Sequence, residues 1–454
     1  MHKLIIFLQF ILVVSTTGQH VWAFDLDSNQ LATSPETSWP SSPLTLEQTI
    51  ARALAQNPEI AAKGWEAEAA QARISAASGA RRPRLALSGN YMHHLDEQRL
   101  IPAASDGSPG LFGRDIFMAD VVVTLPLYAG GRLNHQIAAS ELLHEAALKR
   151  LARSRDELIF NVTSLYTHIL AQHQLIVSLE FSATTLARHV ERVDRLIKAG
   201  KAARVERLRT QVRLADIQQL LVRERNLLYL QQRALAGLLG IRGGGDHPLV
   251  AGELENGFTD PIPEFSEVLK RARTTRSDYR AALLALNAQE RQLNVVRAGH
   301  LPSLSLQGSY GSRWAVGSTT GNGSDQADVG RIGLVLEIPL YSGGQVSAGV
   351  AEQRAQLGAA RARLHTLEQQ IGLEVETAVR NLAAAAERGG ALQQTLELAH
   401  ESLQIEQQKY ELGKGAIIDV LDAQTELLQA ESSYYRVLAD YHTAQAQLTL
   451  AVGE

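Results

Sequence analysis

Residues Pro126 to Gly131 read PLYAGG, and Pro339 to Gly344 read PLYSGG. Each copy follows a stretch of alternating apolar and polar residues and precedes a long alanine-rich run with helical periodicity. Each therefore reads as a joint between a strand and a helix, written twice at an offset of 213 (339 − 126).

The repeat extends outward from these joints. Pro83-Arg-Leu-Ala-Leu-Ser-Gly-Asn-Tyr91 matches Pro302-Ser-Leu-Ser-Leu-Gln-Gly-Ser-Tyr310 at an offset of 219, whereas Gly200, Leu208 and Gln211 match Gly413, Leu421 and Gln424 at 213. The first copy is therefore longer only between its two strand signals, where a loop varies while the helices keep their length. The chain divides into a leader at 1–23, an extended segment at 24–43, a first repeat at 44–240, a linker at 241–263 and a second repeat at 264–454.

Strands are predicted at 84–94, 116–126, 303–313 and 330–339. Leu304, Leu306, Gly308 and Tyr310 alternate with serines and Gln307, and Ile332, Leu334, Leu336 and Ile338 alternate with residues that include Gly333 and Glu337. Period-two alternation over about 9 to 11 residues gives one apolar and one wet face, the length a membrane barrel strand needs. A half-buried strand in a soluble sandwich would alternate in the same way. Tyr91, Tyr128, Tyr310, Trp314 and Tyr341 fall near strand ends, where an aromatic girdle sits, and polar loops rich in Gly, Ser, Asp and Asn connect the pairs. Four strands are too few to close a membrane barrel, so several chains must share one. At the joints, Pro126 and Pro339 lack an N–H and are expected to end strand pairing, Tyr128 and Tyr341 to mark the interface, and Gly130, Gly131, Gly343 and Gly344 to allow the tight change of direction.

Proline-free runs from Gly131 to Ala199 and from Gly344 to Leu412 predict helices of roughly 100 Å at 1.5 Å per residue. Shorter helices over 58–80 and 205–239, and over 277–299 and 417–450, would stack end to end to cover a similar span. Leu214, Leu221, Leu228 and Leu235 recur every seven residues, and Leu427, Tyr434, Tyr441 and Leu448 are their copies. Such a column predicts left-handed supercoiled packing.

Composition and chemistry narrow the function. The first 23 residues combine Lys3, an apolar run from Leu4 to Val14 and small residues at Val21 and Ala23, the pattern of a secretory signal peptide cleaved after Ala23. There is no cysteine, hence no disulfide framework and no lipid anchor on cysteine. A net charge of −4 gives no case for a nucleic-acid partner. The histidines, including His93-His94, His135, His144, His168 and His173, form no HExxH or other convincing ligand set, so neither a metal site nor a cofactor is expected. Gly240-Ile-Arg-Gly-Gly-Gly245 lacks the strand, spacing and lysine of a phosphate loop and reads as a flexible exit from the first helical hairpin.

An exported chain with duplicated strand pairs, PLYxGG joints and helical hairpins resembles the TolC-like outer-membrane efflux proteins over about 44–452. The most specific match is Tyr410-Glu-Leu-Gly-Lys-Gly-Ala-Ile-Ile-Asp-Val-Leu-Asp-Ala423. The resemblance implies a mainly α fold with a small β part: a homotrimer whose twelve strands form one outer-membrane β-barrel, continued by a periplasmic α-helical coiled-coil barrel. It implies a passive exit duct rather than an enzyme, in an efflux or type I secretion system, served by an inner-membrane transporter and a periplasmic adaptor protein and embedded in outer-membrane lipid.

The resemblance also assigns roles at the helix tips. Asp419 and Asp422 would face the pore at the periplasmic entrance, where a carboxylate ring favours cations. The alternative is two solvated carboxylates near a helix N-terminus. Gly200, Gly413 and Gly415 lie in the turns, expected to dock the adaptor. Glu206 and Arg209 occupy the places equivalent to Asp419 and Asp422, and Gly415 stands where the family has an arginine that helps hold the entrance shut. Tyr410, with Lys414, is expected to contact Glu206 instead. A structural trimeric coiled-coil surface protein and a periplasmic enzyme on a helical scaffold remain as other classes.

Overall fold

The computed structural model describes residues 43–101, 111–200, 203–241, 250–254, 257–258, 261–316 and 326–454. The leader, nearly all of the extended segment and the glycines at 243–245 lie outside them.

Each repeat begins with two short helices, α1 (Leu46–Gln56) and α2 (Pro58–Gly79) in the first, α5 (Phe265–Thr275) and α6 (Ser277–Arg297) in the second. A strand pair follows, β1 (Arg84–Ile101) with β2 (Leu111–Ala129), then β3 (Ser303–Val316) with β4 (Gln326–Glu337). Each repeat ends in a helical hairpin, α3 (Arg132–Lys198) with α4 (Arg204–Leu238), then α7 (Gln345–Glu411) with α8 (Ile417–Val452). Both long helices contain 67 residues and start and stop at positions 213 apart.

Local chemistry sets the boundaries. Thr45 caps α1 in a reciprocal bond pair with Gln48, and the Asn57 side chain accepts from the amides of Glu59 and Ile60 ahead of Pro58 at the first helical position. At the joints, Gly130 and Gly131 have φ of 61° and 78°, and Gly343 and Gly344 have 61° and 81°. Two consecutive left-handed residues turn the strand into the helix, a conformation that disfavours any Cβ. At Gly130 a Cβ would also lie 2.7 Å from that of Leu301.

The four strands form one antiparallel sheet in the order β1-β2-β3-β4. Leu87, Val121 and Tyr310 form one cross-strand row, Leu85, Val123, Gly308 and Ile332 the next on the same face, and Leu125, Leu306 and Leu334 the one after; Leu85, Leu87, Ile332, Leu334 and Leu336 are all exposed. Tyr91, Phe117 and Trp314 form an aromatic row across three strands, with ring centroids 4.7 and 5.9 Å apart. That face is an apolar band with a girdle.

Two expectations require correction. The proline at the first joint does not end pairing: Pro126 lies opposite Ser305, and the ladder runs on to Ala129 opposite Ser303 after a register shift between Pro126 and Tyr128. The shift accommodates the missing N–H. At the second joint β4 stops at Glu337, short of Pro339. The strand ends also differ from the alternation: β1 and β2 contain 18 and 19 residues, β3 and β4 contain 14 and 12. Backbone pairing such as Gln98 with Gly113 continues where the apolar alternation has lapsed, because the ladder bonds do not require it.

The hairpins are held by successive apolar clusters. Ala53, Leu158, Val162 and Leu239 in the first repeat correspond to Ala272, Ile371, Val375 and Val452 in the second, and both sets are buried. The heptad column joins this packing, with Leu221, Leu235, Tyr434 and Tyr441 all buried. Asn57 donates to the Leu238 carbonyl at 3.0 Å, and at its equivalent place the buried Arg276 donates to the Ala451 carbonyl at 3.4 Å while pairing with Asp278 and, at 2.7 Å, with Glu374.

Phe258, in the linker, inserts its ring between Tyr434 and Tyr441, edge-on at centroid distances of 6.1 and 5.2 Å. Its place on α7 is Gly389, where a Cβ would sit 2.3 Å from the ring. A glycine-to-alanine change inside a helix ordinarily stabilises by about 1 kcal/mol. Here Gly389→Ala is expected to destabilise by about 1–3 kcal/mol through overpacking, and the sign should reverse in a Phe258→Ala background. Thermal unfolding of the four proteins in detergent checks this.

Candidate functional site

The two hairpins turn at Gly200 and Gly413, both with φ of 71°. The Gly413 amide donates to the Tyr410 carbonyl at 3.0 Å and the Lys414 amide to the Lys409 carbonyl at 2.9 Å, a closure of the helix end that uses the left-handed glycine. Gly415 is tightly enclosed: a Cβ would lie 3.0 Å from that of Lys409 and 3.3 Å from the Tyr410 amide nitrogen. The turn as folded suits glycine at this place, where any side chain would press on Lys409 and the Tyr410 backbone.

The cation beside Tyr410 comes from the other hairpin. The Arg192 guanidinium sits 5.7 Å from the Tyr410 ring centroid and 3.7 Å from the Glu411 carboxylate, while the His189 ring meets the Tyr410 ring edge-on at 6.3 Å. These side chains, with Arg188 and Val420, line a cleft of about 250 Å³ between α3, α7 and α8. Below it Tyr410 packs on the cluster of Leu186, Leu221, Ile417 and Leu421. Burial, and next the negative charge of Glu206, push the Tyr410 phenol above its usual range. Glu206 acts on Tyr410 through its charge; among the described residues no hydrogen bond joins the two side chains, and the exposed Lys414 side chain takes no part in the cluster.

The two aspartates already have partners. The Asp419 carboxylate reaches back to accept from the Ala416 amide at 3.2 Å, closing the first turn of α8. Asp422 faces Arg213 of α4 at 3.6 Å, with both side chains partly exposed. An exposed pair of this kind contributes about 0.2–1 kcal/mol, so its main effect is on local charge. Arg213 escaped the sequence reading. The signal was present, because Glu206, Arg209 and Arg213 at spacings of three and four correspond at 213 to Asp419, Asp422 and Glu426. Such spacing aligns each trio along one helix face.

A sheet with an apolar outer face and two unpaired edges, carried on helical hairpins with charged tips, defines one subunit of a membrane-anchored tunnel. No helix among the described residues is long and apolar enough to cross a membrane. The chain belongs to the outer membrane efflux protein family, which it matches over residues 49–241 and 268–454. It is 22% identical over 420 residues to the outer membrane protein TolC of Escherichia coli K12, covering 90% of this chain and 82% of that protein. It is 24% identical over 409 residues to the proteases secretion protein PrtF of Dickeya chrysanthemi, covering 88% and 85%. The fold matches the Campylobacter jejuni CmeC outer membrane channel with a TM-score of 0.75 at 17% identity, over 90% of this chain and 85% of that one. The protein is an outer-membrane channel component of the efflux and secretion type.

Burial and the neighbouring Arg192 charge hold the His189 imidazole below its ordinary value, against a smaller pull from Glu411. Since the folded tip binds fewer protons than the unfolded chain, its stability is fully present above about pH 6.5, the ordinary histidine value, and is lost as the pH falls further. Acidification should therefore raise amide exchange around 185–192 and 407–411, and His189→Gln should flatten that dependence.

Proposed function

We propose that three copies assemble into a twelve-stranded barrel in the outer membrane, prolonged by a helical tunnel through the periplasm. This duct passively releases substrates delivered by an inner-membrane transporter and a periplasmic adaptor, and performs no chemistry of its own. The observation that carries this reading is the open sheet. β1 and β4 each present an unpaired edge, and an unpaired edge is excluded from lipid. The repeat supplies the missing register. Val121 lies opposite Tyr310, so moving each partner to its equivalent place sets Leu334 opposite Tyr91 of the neighbouring subunit.

The periplasmic entrance lies at the tips, and Gly200, Gly413 and Gly415 hold the turns that meet the adaptor. Asp419 and Asp422 give the entrance its negative charge, and Arg213 partly offsets it. The Arg192–Tyr410 contact keeps the hairpins together in the resting state. The same architecture serves small solutes and secreted polypeptides, and cargo is selected by the transporter.

Reversal potentials in planar bilayers under a salt gradient test this reading. The wild type is expected to prefer cations, the Asp419→Ala, Asp422→Ala double variant to lose the preference, and Arg213→Ala to strengthen it. Absence of conductance from both the wild type and Arg192→Ala, which removes the contact that joins the hairpins, would overturn the duct.

A further inference from the structure

The two hairpins of one copy meet through contacts that have an equivalent across each subunit boundary. α3 packs against α8, and α4 touches α8 past its shoulder. Moving the first repeat onto the second, and the second onto the first repeat of the next copy, turns these contacts into α7 against the neighbouring α4 and α8 against that same α4. The operation can be applied residue by residue, because the described hairpins start at positions 213 apart without insertion.

Applied to the Arg213–Asp422 pair, it moves Arg213 to Glu426 and Asp422 to Arg209 of the neighbouring subunit. The signs are exchanged, yet the pair is still one cation and one carboxylate. Arg209 and Glu426 are both exposed in the single chain, and neither makes an ion pair among the described residues. Applied to Arg192 over Tyr410, the same operation brings Ile405 against Ile197 of the neighbour, and Ile405 is likewise exposed in the single chain. At these two equivalent places an exposed arginine thus finds a carboxylate and an exposed isoleucine a second isoleucine.

We infer that Glu426 of each subunit forms an ion pair with Arg209 of the next. Together with the Arg213–Asp422 pairs this makes a belt of six ion pairs around the entrance, alternating within and between subunits. The inference rests on the trimer proposed above and deepens it by naming the contact that joins neighbouring tips. The belt takes up both arginines of the α4 stripe, leaving Asp419 and Glu206 as the carboxylates not paired within it.

The absence of cysteine makes the test direct. The full-length protein carrying Arg209→Cys and Glu426→Cys is treated in detergent with a short bis-maleimide and run on a denaturing gel, after native mass has established its oligomeric state. Covalent dimer and trimer are expected, with none from either single-cysteine variant. The Arg213→Cys, Asp422→Cys protein should consume its thiols while keeping the mobility of one chain. If native mass shows a trimer and that control reacts internally, yet the 209/426 protein gives only single chains, the inference is overturned and the trimer stands. A single chain by native mass overturns both. As a second measurement, Arg209→Glu is expected to raise conductance by loosening the belt, and adding Glu426→Arg to return it to the wild-type level. Failure of the exchange to restore it, with cross-linking intact, removes the ion pair and keeps only the proximity.

Discussion

A strand in lipid has nowhere to place an unpaired backbone amide, and the structure is organised around that constraint. Four strands leave two open edges, and the helices cannot cover them because they leave the sheet at the glycine joints and run away from it. Only other strands can pair with those edges. The duplication makes this possible at little cost in new information, since the β2–β3 contact that joins the two repeats already specifies what the next copy must present.

The helices face a different difficulty. Each long one contains 67 residues with few aromatic side chains to bury, and no disulfide holds it. Stability is instead distributed along the hairpins in successive small clusters of Ala, Leu, Val and Ile. Larger side chains appear where geometry departs from two parallel helices: Phe258 where the linker crosses α7 and α8, Arg276 where α5, α6 and α8 converge, Tyr410 where the tips come together. These are the places where one helix end or one chain segment must be fixed against another.

Much of this was legible from the residues alone. The joints, the extents of the long helices and the glycine turns follow from local patterns and from the repeat, and the alternating strands show which face meets lipid. Three kinds of feature were not legible. Pro126 remains within the sheet because a register shift can absorb its missing donor, which its residue type does not announce. β1 and β2 extend beyond their alternation because backbone pairing persists without it. The contacts of Arg192 with Tyr410, Arg213 with Asp422 and Phe258 with Gly389 depend on the rotational phase of helices far apart in sequence, which no one-dimensional pattern fixes. Of these, only Arg213 carried a trace in the sequence, through its alignment with Glu426.

The two charged stripes differ between the repeats. One carries Glu206, Arg209 and Arg213; the other carries Asp419, Asp422 and Glu426. Had both stayed alike, a first hairpin could seat beside another first hairpin as readily as beside a second. With the present charges, first against first sets arginines side by side, and second against second sets carboxylates side by side. The stripes therefore act as a polarity key, favouring head-to-tail order around the ring over an inverted neighbour.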